Sequence, residues 1–278
     1  TVLPVALFCF CSWHVADLVF DHLNLWCSVG AVFDSMLQRV LPDTFSEDEH
    51  KYLLPSILYI GYGHSGSTAM AGSMNMHPEL SYGRKKEHRF FSSGGSDVDN
   101  YRREFKVNTG VKHTFDPSPQ YIFMPNTYIE RAYAMLGEET KIIVMIRHPI
   151  QWFTSIWYTD KYKSNLSGRI REAYAGLCPV DHLQEWLRHF PKENFLFLQS
   201  DEYFQDRQRV LDRVFEFAAV SPFCVKELSD SSSGRRRNKK QLVPAMEKQL
   251  WAMLDDKNCA QVVSEITGLS INWSRPDP

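Results

Sequence analysis

Short apolar runs alternate with stretches of helical periodicity along most of the sequence. Three runs are almost continuously apolar, as in strands buried on both faces of a parallel sheet: residues 57–60, 141–146 and 194–199. Helical spacing of apolar residues predicts helices at residues 68–76, 149–162, 183–190, 207–219 and, as the last helix, 244–254. Polar stretches predict loops at residues 92–100, 116–119 and 230–240. The alternation predicts an α/β domain with a central, mainly parallel sheet flanked by helices.

The first part of the chain has a different pattern. Residues 1–52 are predicted to be a helical extension of unknown role, because apolar residues recur at helical spacing from Val15 onwards. The apolar run at 2–13 is about half the length that spans a bilayer and no basic region precedes it, so it does not predict a signal peptide. Since the first residue is Thr rather than Met, we expect a fragment or a processed product, and a membrane anchor upstream stays open.

Composition limits the class of partner. The 278 residues include 31 Lys and Arg against 33 Asp and Glu, so the formal net charge is −2 and a nucleic-acid partner is not predicted. Two local basic patches remain, at residues 84–89 and 235–240. Taken alone, such short runs are more often solvated loops or, for the second, a localisation signal.

The cysteines and glycosylation sequons leave the compartment open. Six cysteines are too few and too scattered for a disulfide scaffold, and none forms a Cys-x-x-Cys pair. Cys9 and Cys11 lie in an apolar run with only His14 nearby, so no metal site is predicted. Asn165 and Asn272 begin glycosylation sequons. Such sequons are glycosylated only in the secretory pathway, so the chain would be a glycoprotein only if it is secreted or lumenal.

The segment richest in chemistry is the glycine-rich loop, residues 61–68, which reads Gly-Tyr-Gly-His-Ser-Gly-Ser-Thr between a predicted strand and a predicted helix. Small residues let successive backbone N–H groups converge, and the helix N-terminus adds partial positive charge. The hydroxyls of Ser67 and Thr68 can donate to the same anion or cap the helix. A tight turn without a ligand is the alternative, but the pattern favours a phosphate-type site.

The loop differs from a nucleotide-triphosphatase loop at one important position. Ser67 occupies the place of the lysine that neutralises the β- and γ-phosphates. The strand at 141–146 leads into Arg147 and His148 rather than into the aspartate that would hold magnesium. Phosphoryl transfer from Mg-ATP is therefore disfavoured, and an anion that needs no metal is favoured.

Arg147 and Ser155 form a second candidate feature. An arginine at the carboxyl end of a parallel strand lies where open α/β sheets bind ligands, and its fork of donors matches phosphate oxygens. If Pro149 begins the following helix, Ser155 lies about two turns into it and can reach the same anion. An ion pair between Arg147 and a carboxylate is the structural alternative.

Together these segments resemble the sulfotransferase family, in particular the Golgi glycosaminoglycan branch that includes heparan sulfate 3-O- and N-sulfotransferases. The resemblance covers about residues 57–273, and the domain is placed at 53–278. It implies a P-loop-like three-layer fold. It also implies transfer of a sulfuryl group from 3′-phosphoadenosine 5′-phosphosulfate (PAPS) to a hydroxyl or amine, with a carbohydrate as the expected acceptor and PAP as the spent donor.

The resemblance also implies roles for individual residues. The donor's 5′ end is expected at His64, Ser65, Gly66, Ser67 and Thr68, its 3′-phosphate at Arg147 and Ser155, and a covering loop at Gly234 and Arg235. Glu87 matches the family's catalytic base, in a Lys86-Glu87-His88-Arg89-Phe90-Phe91 stretch that resembles Lys-Glu-x-x-Phe-Phe. Acceptor contacts are expected at Lys86, His88 and Arg89. Two alternatives stay open: Glu87 as a surface ion pair with its basic neighbours, and His88 as the base.

Three departures from the family pattern affect these expectations. His64 replaces a lysine that contacts the transferring group, so a protonated imidazole would have to serve as the second catalytic residue. Pro117 replaces a second lysine near the acceptor, within a stretch that resembles Glu-Lys-Thr/Ser-x-x-Tyr. Cys224 would need a disulfide partner to staple the loop before Gly234, and the nearest candidates are the distant Cys178 and Cys259.

Two other functions remain open at this stage. One is a catalytically silent family member that binds PAP and a carbohydrate, and the other is a P-loop-like kinase. The resemblance implies the Golgi lumen or another secretory compartment, while a cytoplasmic location stays open.

Overall fold

The computed structural model of the chain describes residues 51–107, 110–160, 174–225 and 241–274. Its strands are β1 (Lys51–Tyr52), β2 (Ile57–Gly61), β3 (Leu80–Ser81), β4 (Lys106–Val107), β5 (His113–Asp116), β6 (Lys141–Ile146) and β7 (Phe195–Gln199). Its α-helices are α1 (Ser67–Asn75), α2 (Val98–Glu104), α3 (Asn126–Leu136), α4 (Pro149–Asp160), α5 (Val180–His189), α6 (Ser200–Gln205), α7 (Arg207–Ala218), α8 (Pro244–Asp256) and α9 (Cys259–Thr267). Short 3₁₀ helices cover Phe91–Ser93, Pro119–Phe123 and Lys192–Asn194.

A parallel sheet forms the centre of the described part. Its strand order is β3-β5-β2-β6-β7, and each neighbouring pair runs parallel. Because all carboxyl ends of a parallel sheet lie at one edge, the segments that follow β2, β5, β6 and β7 meet there. The register places Gly61 of β2 opposite Met145 of β6, so the glycine-rich loop begins beside the end of β6. The predicted α/β fold with a mainly parallel sheet is confirmed.

The central strands are buried on both faces. Leu58 and Ile60 of β2 pack into one apolar cluster with Val144 of β6, while Ile57 and Tyr59 face a second cluster on the opposite side. Each fully buried aliphatic side chain of this kind stabilises the fold by about 1.5–3 kcal/mol. The helices supply the other half of each cluster, which gives three layers. Within the described ranges, no helix is both long and apolar enough to cross a membrane.

Most predicted elements are confirmed to within about two residues at most ends. The strands at 57–60, 141–146 and 194–199 correspond to β2, β6 and β7, and the helices at 68–76 and 207–219 correspond to α1 and α7. The helix predicted at 149–162 is α4, which ends at Asp160 at the limit of the described range, and the helix predicted at 183–190 begins three residues earlier, as α5 at Val180.

Three local predictions were wrong. Helix α2 begins inside the stretch predicted as a loop, because the Asp97 carboxylate caps it by accepting from the Asn100 N–H at 2.9 Å. Asp116 ends strand β5 rather than beginning a loop, since that short strand is buried between β3 and β2. Helix α8 is not the last, because α9 follows it after a turn at Asn258 with φ +46°.

A disulfide joins Cys178 to Cys259, whose Cα atoms are 5.9 Å apart and whose positions differ by 81 in sequence. It connects the segment before α5 to the start of α9, and such a link stabilises a fold by about 2–5 kcal/mol. Since the two bond to each other, neither Cys178 nor Cys259 is the partner suggested for Cys224.

Some predictions fall outside the described residues. They are the helix from Val15, the polar stretch at 230–240, and the expected covering loop at Gly234 and Arg235. The boundary between an extension at 1–52 and a domain at 53–278 stays a prediction.

Candidate active site

The glycine-rich loop connects the end of β2 to the start of α1. One of its glycines is required by a close backbone approach and another by its left-handed backbone conformation. A Cβ on Gly61, where φ is +139°, would lie 2.8 Å from the carbonyl oxygen and 2.9 Å from the nitrogen of Met145. Gly66, where φ is +93°, is the N-cap of α1, and a Cβ there would lie 2.9 Å from Cζ of Phe204. Because Gly66 has no side chain to cap them, the first N–H groups of α1 remain suited to an anion.

The polar residues of the loop take different positions. The Ser65 side chain is buried and its hydroxyl donates to the Tyr62 carbonyl, so it stabilises the turn and its backbone N–H is the group it can offer a ligand. Ser67 is also buried, at the first position of α1, whereas Thr68 and His64 are exposed. His64 has φ +63°, a left-handed conformation that turns the chain between Gly63 and Ser65.

Arg147 and Ser155 both reach this loop. Nη1 of Arg147 donates to the carbonyl oxygen of His64, and Oγ of Ser155 lies 3.4 Å from Nδ1 of the His64 ring. These contacts join the loop, the end of β6 and helix α4 at the carboxyl edge of the sheet. The structure therefore brings together three candidate ligand-binding residues that lie in separate segments of the sequence.

Trp152 holds the same corner of the site, a role that its sequence pattern does not indicate. Its indole Nε1 donates to the Gly63 carbonyl at 2.9 Å, and its ring packs edge-on against Tyr62 with centroids 4.6 Å apart. Tyr62 in turn donates its hydroxyl to the Gly176 carbonyl at 2.7 Å. A tryptophan in an apolar helix is indistinguishable by pattern from an ordinary core residue, so only the fold reveals it.

The charge at the end of β6 is set by burial and by Asp201, another residue whose role was missed. Burial lowers the pKa of Arg147, and the nearby Asp201 carboxylate acts in the opposite direction. Burial likewise lowers the pKa of His148, again opposed by Asp201, so this imidazole favours the neutral form. Arg147 is therefore the permanent cation at this position. The His148 ring lies edge-on to the Trp251 ring, and its centroid is 6.2 Å from that of the Trp273 ring.

Residues 86–89, at which acceptor contacts are expected, are here named the acceptor segment. Within it, Glu87 is hydrogen-bonded on both carboxylate oxygens. Its Oε1 accepts from Nζ of Lys86 at 2.5 Å and its Oε2 accepts from Nη2 of Arg89 at 2.7 Å. Burial by itself would raise the pKa of Glu87, but the hydrogen bonds from Arg89 and Lys86 outweigh it and hold the pKa below its ordinary value. Both Glu87 and Arg89 have left-handed backbone, with φ of +62° and +56°.

A buried polar hub attaches the acceptor segment to the sheet. The Arg89 N–H donates to Oγ of Ser118 at 3.0 Å, and that hydroxyl donates to Oδ1 of Asp116 at 2.6 Å. The other oxygen of Asp116 accepts from the hydroxyls of Tyr101 and Tyr121, at 2.8 and 2.7 Å. Asp116 is fully buried at the end of β5, the neighbour of β2, so the hub places the acceptor segment at the edge where the loop begins.

His88 lies beside a cavity of about 210 Å³ that none of the loop residues lines. Its Nε2 lies 2.9 Å from the Tyr82 carbonyl, which can only accept, so Nε2 bears the proton. Its buried Nδ1 has no hydrogen-bond partner in the described part of the chain. The centroid of its ring lies 4.3 Å from that of the Phe105 ring. The cavity is also lined by Lys85, Phe90, Asp97, Asn100 and Tyr101, which combine aromatic surface with charged and amide groups.

The site therefore has two parts at one edge of the sheet. The first part is the loop with Arg147 and Ser155, which is suited to bind an anion. The second part is the acceptor segment, whose ion-paired side chains lie above the buried hub and near the cavity. Residues 54–232 match the sulfotransferase domain family, so the chain belongs to the sulfotransferase family, whose members use PAPS.

Curated relatives are distantly similar. The chain is 27% identical over 235 residues to the bifunctional heparan sulfate N-deacetylase/N-sulfotransferase 1 of Caenorhabditis briggsae, covering 73% of this chain and 26% of that protein. It is 26% identical over 190 residues to human heparan sulfate glucosamine 3-O-sulfotransferase 3A1, covering 62% of this chain and 46% of that protein. The chain thus spans between about a quarter and a half of the length of these relatives.

Solved structures share the fold. A sulfotransferase from Alicyclobacillus acidocaldarius superposes with a TM-score of 0.64 at 19% identity, covering 78% of this chain and 96% of that one. A mouse sulfotransferase complexed with PAP superposes with a TM-score of 0.51 at 14% identity, covering 76% and 86%.

Proposed function

We propose that this chain transfers a sulfuryl group from PAPS to a hydroxyl or amine of a carbohydrate acceptor. The observation that best supports the proposal is the meeting of three elements at the carboxyl edge of the sheet, where Arg147 and Ser155 each contact His64 of the loop. That edge is where open α/β sheets bind ligands.

The chemistry of the loop fits the donor. Gly61 and Gly66 leave no room for side chains, so backbone N–H groups can approach an anionic ligand closely. The amides at residues 65–68 and the hydroxyls of Ser67 and Thr68 would hold the 5′ end, and Arg147 with Ser155 would hold the 3′-phosphate. When bound, PAPS supplies an activated sulfuryl group, and these residues orient it and stabilise negative charge.

Glu87 is proposed as the base that takes the proton from the acceptor. Paired with Lys86 and Arg89, its carboxylate has a lowered pKa, which makes it a weak base. An acceptor whose own oxygens bond Lys86 and Arg89 would remove those hydrogen bonds, and the pKa of Glu87 would then rise. In this arrangement the base becomes strong only when an acceptor is in place.

His64 is proposed as the second catalytic residue. It is exposed in the loop, its ring Nδ1 lies 3.4 Å from Oγ of Ser155, and its backbone carbonyl accepts from Arg147. In its protonated form it would stabilise the negative charge that develops on PAP as the sulfuryl group is transferred, which is the role of the lysine in the family. Its contribution would therefore fall as pH rises through the range in which imidazoles lose their proton.

The acceptor and the compartment are inferred from less direct observations. The named relatives act on heparan sulfate, and the cavity beside His88 offers aromatic and polar groups of the kind that contact sugars. A disulfide such as Cys178–Cys259 forms and persists in oxidising compartments. We therefore propose a carbohydrate acceptor and a location in the Golgi lumen or secretory pathway.

A second function is favoured by one specific observation. Both oxygens of Glu87 are already bonded to cations, as in a structural ion pair, and this would suit a catalytically silent member that binds PAP and a carbohydrate. Transfer of labelled sulfate from PAPS to a panel of polysaccharides, glycolipids, small alcohols and tyrosyl peptides separates the two.

In the proposed function, the wild-type chain labels at least one carbohydrate. Binding of PAP with no labelling across the panel would establish the silent member instead. No binding of PAP at all would contradict both.

A further inference from the structure

The Cys178–Cys259 disulfide lies close to a hydrogen bond that reaches the glycine-rich loop. The Gly176 carbonyl, two positions before Cys178, accepts from the Tyr62 hydroxyl at 2.7 Å. Cys178 is 5% exposed, and Cys259, the first residue of α9, is 1% exposed. A covalent link inside the core and a hydrogen bond to the loop therefore fall in one short stretch, residues 174–178, here named the anchor segment.

Packing holds the anchor segment in place together with the disulfide. Gly176 and Leu177 are buried, and the Leu177 N–H donates to the Tyr174 carbonyl at 3.3 Å. The centroid of the Tyr174 ring lies 5.0 Å from that of the Phe153 ring on α4. Because the segment is buried, packed on a helix and covalently linked to α9, the Gly176 carbonyl is an acceptor with a fixed position.

Tyr62 connects the anchor segment to the loop through three of its groups. Its hydroxyl bonds Gly176, and burial raises the pKa of Tyr62 well above its ordinary value, so the hydroxyl keeps its proton and donates. Its ring packs edge-on against Phe123 and Trp152, with centroids 5.4 and 4.6 Å away. Its own carbonyl accepts from the buried hydroxyl of Ser65 within the loop. The position of Tyr62 therefore sets the position of the turn that follows it.

The other end of the disulfide leads towards Arg147. Cys259 begins α9 after a two-residue turn from α8, and the Trp251 ring of α8 lies edge-on to the His148 ring with centroids 5.6 Å apart. His148 follows Arg147, whose Nη1 donates to the His64 carbonyl of the loop. The disulfide therefore joins the elements that support the loop to the elements that support Arg147.

We propose that the Cys178–Cys259 disulfide positions the glycine-rich loop for the donor, and that Tyr62 is the positioning residue through which it acts. The inference rests on the proposed function, because it takes the loop as the donor site. Glycines allow a loop many backbone conformations, so contacts from outside must hold the one that suits an anion. Where only a fraction of the chains hold that conformation, the apparent affinity for the donor falls by the same fraction.

The first test removes only the Tyr62 hydroxyl. Tyr62→Phe keeps the ring and its packing but loses the hydrogen bond to Gly176. We expect PAP binding, measured by calorimetry, to weaken about fivefold to tenfold, because fewer chains then hold the loop ready. Hydrogen exchange of the amides at residues 62–68 should become faster, which reports the loop itself without any ligand.

The matched control is a buried hydroxyl at the opposite edge of the sheet. Thr140 is 2% exposed just before β6, and its hydroxyl donates to the Gly137 carbonyl at 2.9 Å. Thr140→Val removes a hydrogen bond of the same kind and should lower the free energy of unfolding, as Tyr62→Phe does. PAP affinity and loop exchange should stay at wild-type values in this control.

The second test removes the disulfide. The paired variant Cys178→Ala with Cys259→Ala should weaken PAP binding by about the same factor as Tyr62→Phe. Adding Tyr62→Phe to that variant should weaken PAP binding little further, because the changes act through one segment. Should the paired variant fail to fold, the results for Tyr62→Phe and Thr140→Val decide the inference by themselves.

Each outcome has a distinct consequence. Tyr62→Phe with the PAP affinity and loop exchange of the wild type overturns the inference and leaves the proposed function intact, since the wild type still binds PAP. An equal loss of PAP affinity in Thr140→Val would assign the effect to general destabilisation, which also overturns it. So would losses from Tyr62→Phe and the disulfide variant that add in full. A wild-type chain that does not bind PAP contradicts the inference and the proposed function together.

Discussion

The proposed donor side and the proposed acceptor side of this site lie at the same sheet edge but are constructed differently. On the donor side, Gly61 and Gly66 expose backbone amides, and Arg147 and Ser155 extend to the loop from the next strand and helix. On the acceptor side, Glu87 is neutralised by its own neighbours and the segment is attached through the buried Asp116. One side is therefore preorganised for an anion, while the other holds its charges paired with one another.

This difference indicates which of the two sides would need a rearrangement before the reaction. A preorganised anion site needs no rearrangement to bind its ligand, so donor binding should depend on the fixed cations and amides. A base whose pKa is held down by two partners needs the partners to be withdrawn before it works. Variants of the two sides should accordingly separate binding from turnover.

The largest effect is expected from Glu87→Gln. Loss of the base should lower the transfer rate by about 10²–10⁴-fold, because general-base catalysis contributes that much. PAP affinity should remain unchanged, since the donor side does not include Glu87. Glu185→Gln, which alters an exposed pair with Arg188 on α5, is the matched control. A transfer rate for Glu87→Gln within tenfold of wild type would remove Glu87 from the mechanism.

The next effect is expected from Arg147→Ala, on the opposite side of the comparison. Removing a half-buried cation that forms charge-assisted hydrogen bonds should weaken PAP binding by about 10- to 100-fold by calorimetry. Arg147→Lys should recover part of the lost PAP affinity, because lysine keeps the positive charge but lacks the paired N–H donors of the guanidinium. Arg188→Ala on the exposed surface is the control. PAP affinity that survives in Arg147→Ala would place the 3′-phosphate elsewhere.

Asp116→Asn tests whether the hub positions the acceptor segment. An amide accepts fewer hydrogen bonds than the three hydroxyls here require, so the contact from Ser118 to Arg89 should weaken. We expect about a tenfold rise in acceptor KM with PAP affinity unchanged, and Asp116→Glu should restore part of it. A loss of PAP binding equal to the loss of acceptor binding would mean that the two sides are not independent.

The smallest effect is expected at Glu79, which belongs to neither side. Its hydrogen bond from Lys112, 2.6 Å away, and a backbone bond from Ser221 lower the pKa of Glu79 to about 2, from an ordinary value of 4.5. Because the folded pKa is depressed, the pair stabilises the fold above about pH 4.5, and this contribution is lost as pH falls towards 2.

Glu79→Gln should therefore lower the free energy of unfolding at pH 7 by less than about 1 kcal/mol, with transfer and PAP binding unchanged. Urea unfolding at several pH values should show the difference from wild type closing as pH falls. A difference that persists unchanged at pH 2 would assign the effect to packing rather than to charge.

The sequence predicted which residues would meet on the proposed donor side, but not the buried contacts beneath the proposed acceptor side, for a physical reason. The glycine-rich loop and Arg147 each follow a buried parallel strand, and Ser155 lies in the helix that comes after Arg147. The carboxyl ends of neighbouring parallel strands always lie at one edge of the sheet, so these residues could be predicted to meet. The buried hub is different, because it forms only where β5 lies between β3 and β2. The sequence of a four-residue strand of mixed polarity does not predict that position, so the meeting of Asp116 with Tyr101 and Tyr121 could not be predicted. Trp152 and Phe204 are ordinary apolar residues by pattern, and their contacts with Gly63 and Gly66 exist only in the folded chain.

The proposal that the loop, Arg147 and Ser155 form one donor site is best examined by a double-mutant cycle of PAP binding, with Arg147→Ala, Ser155→Ala and the double variant. We expect the wild type to bind one PAP per chain and each single variant to bind PAP more weakly. The double variant should lose less binding free energy than the sum of the two single losses. A wild-type chain that does not bind PAP, or two losses that add in full, would overturn the proposal.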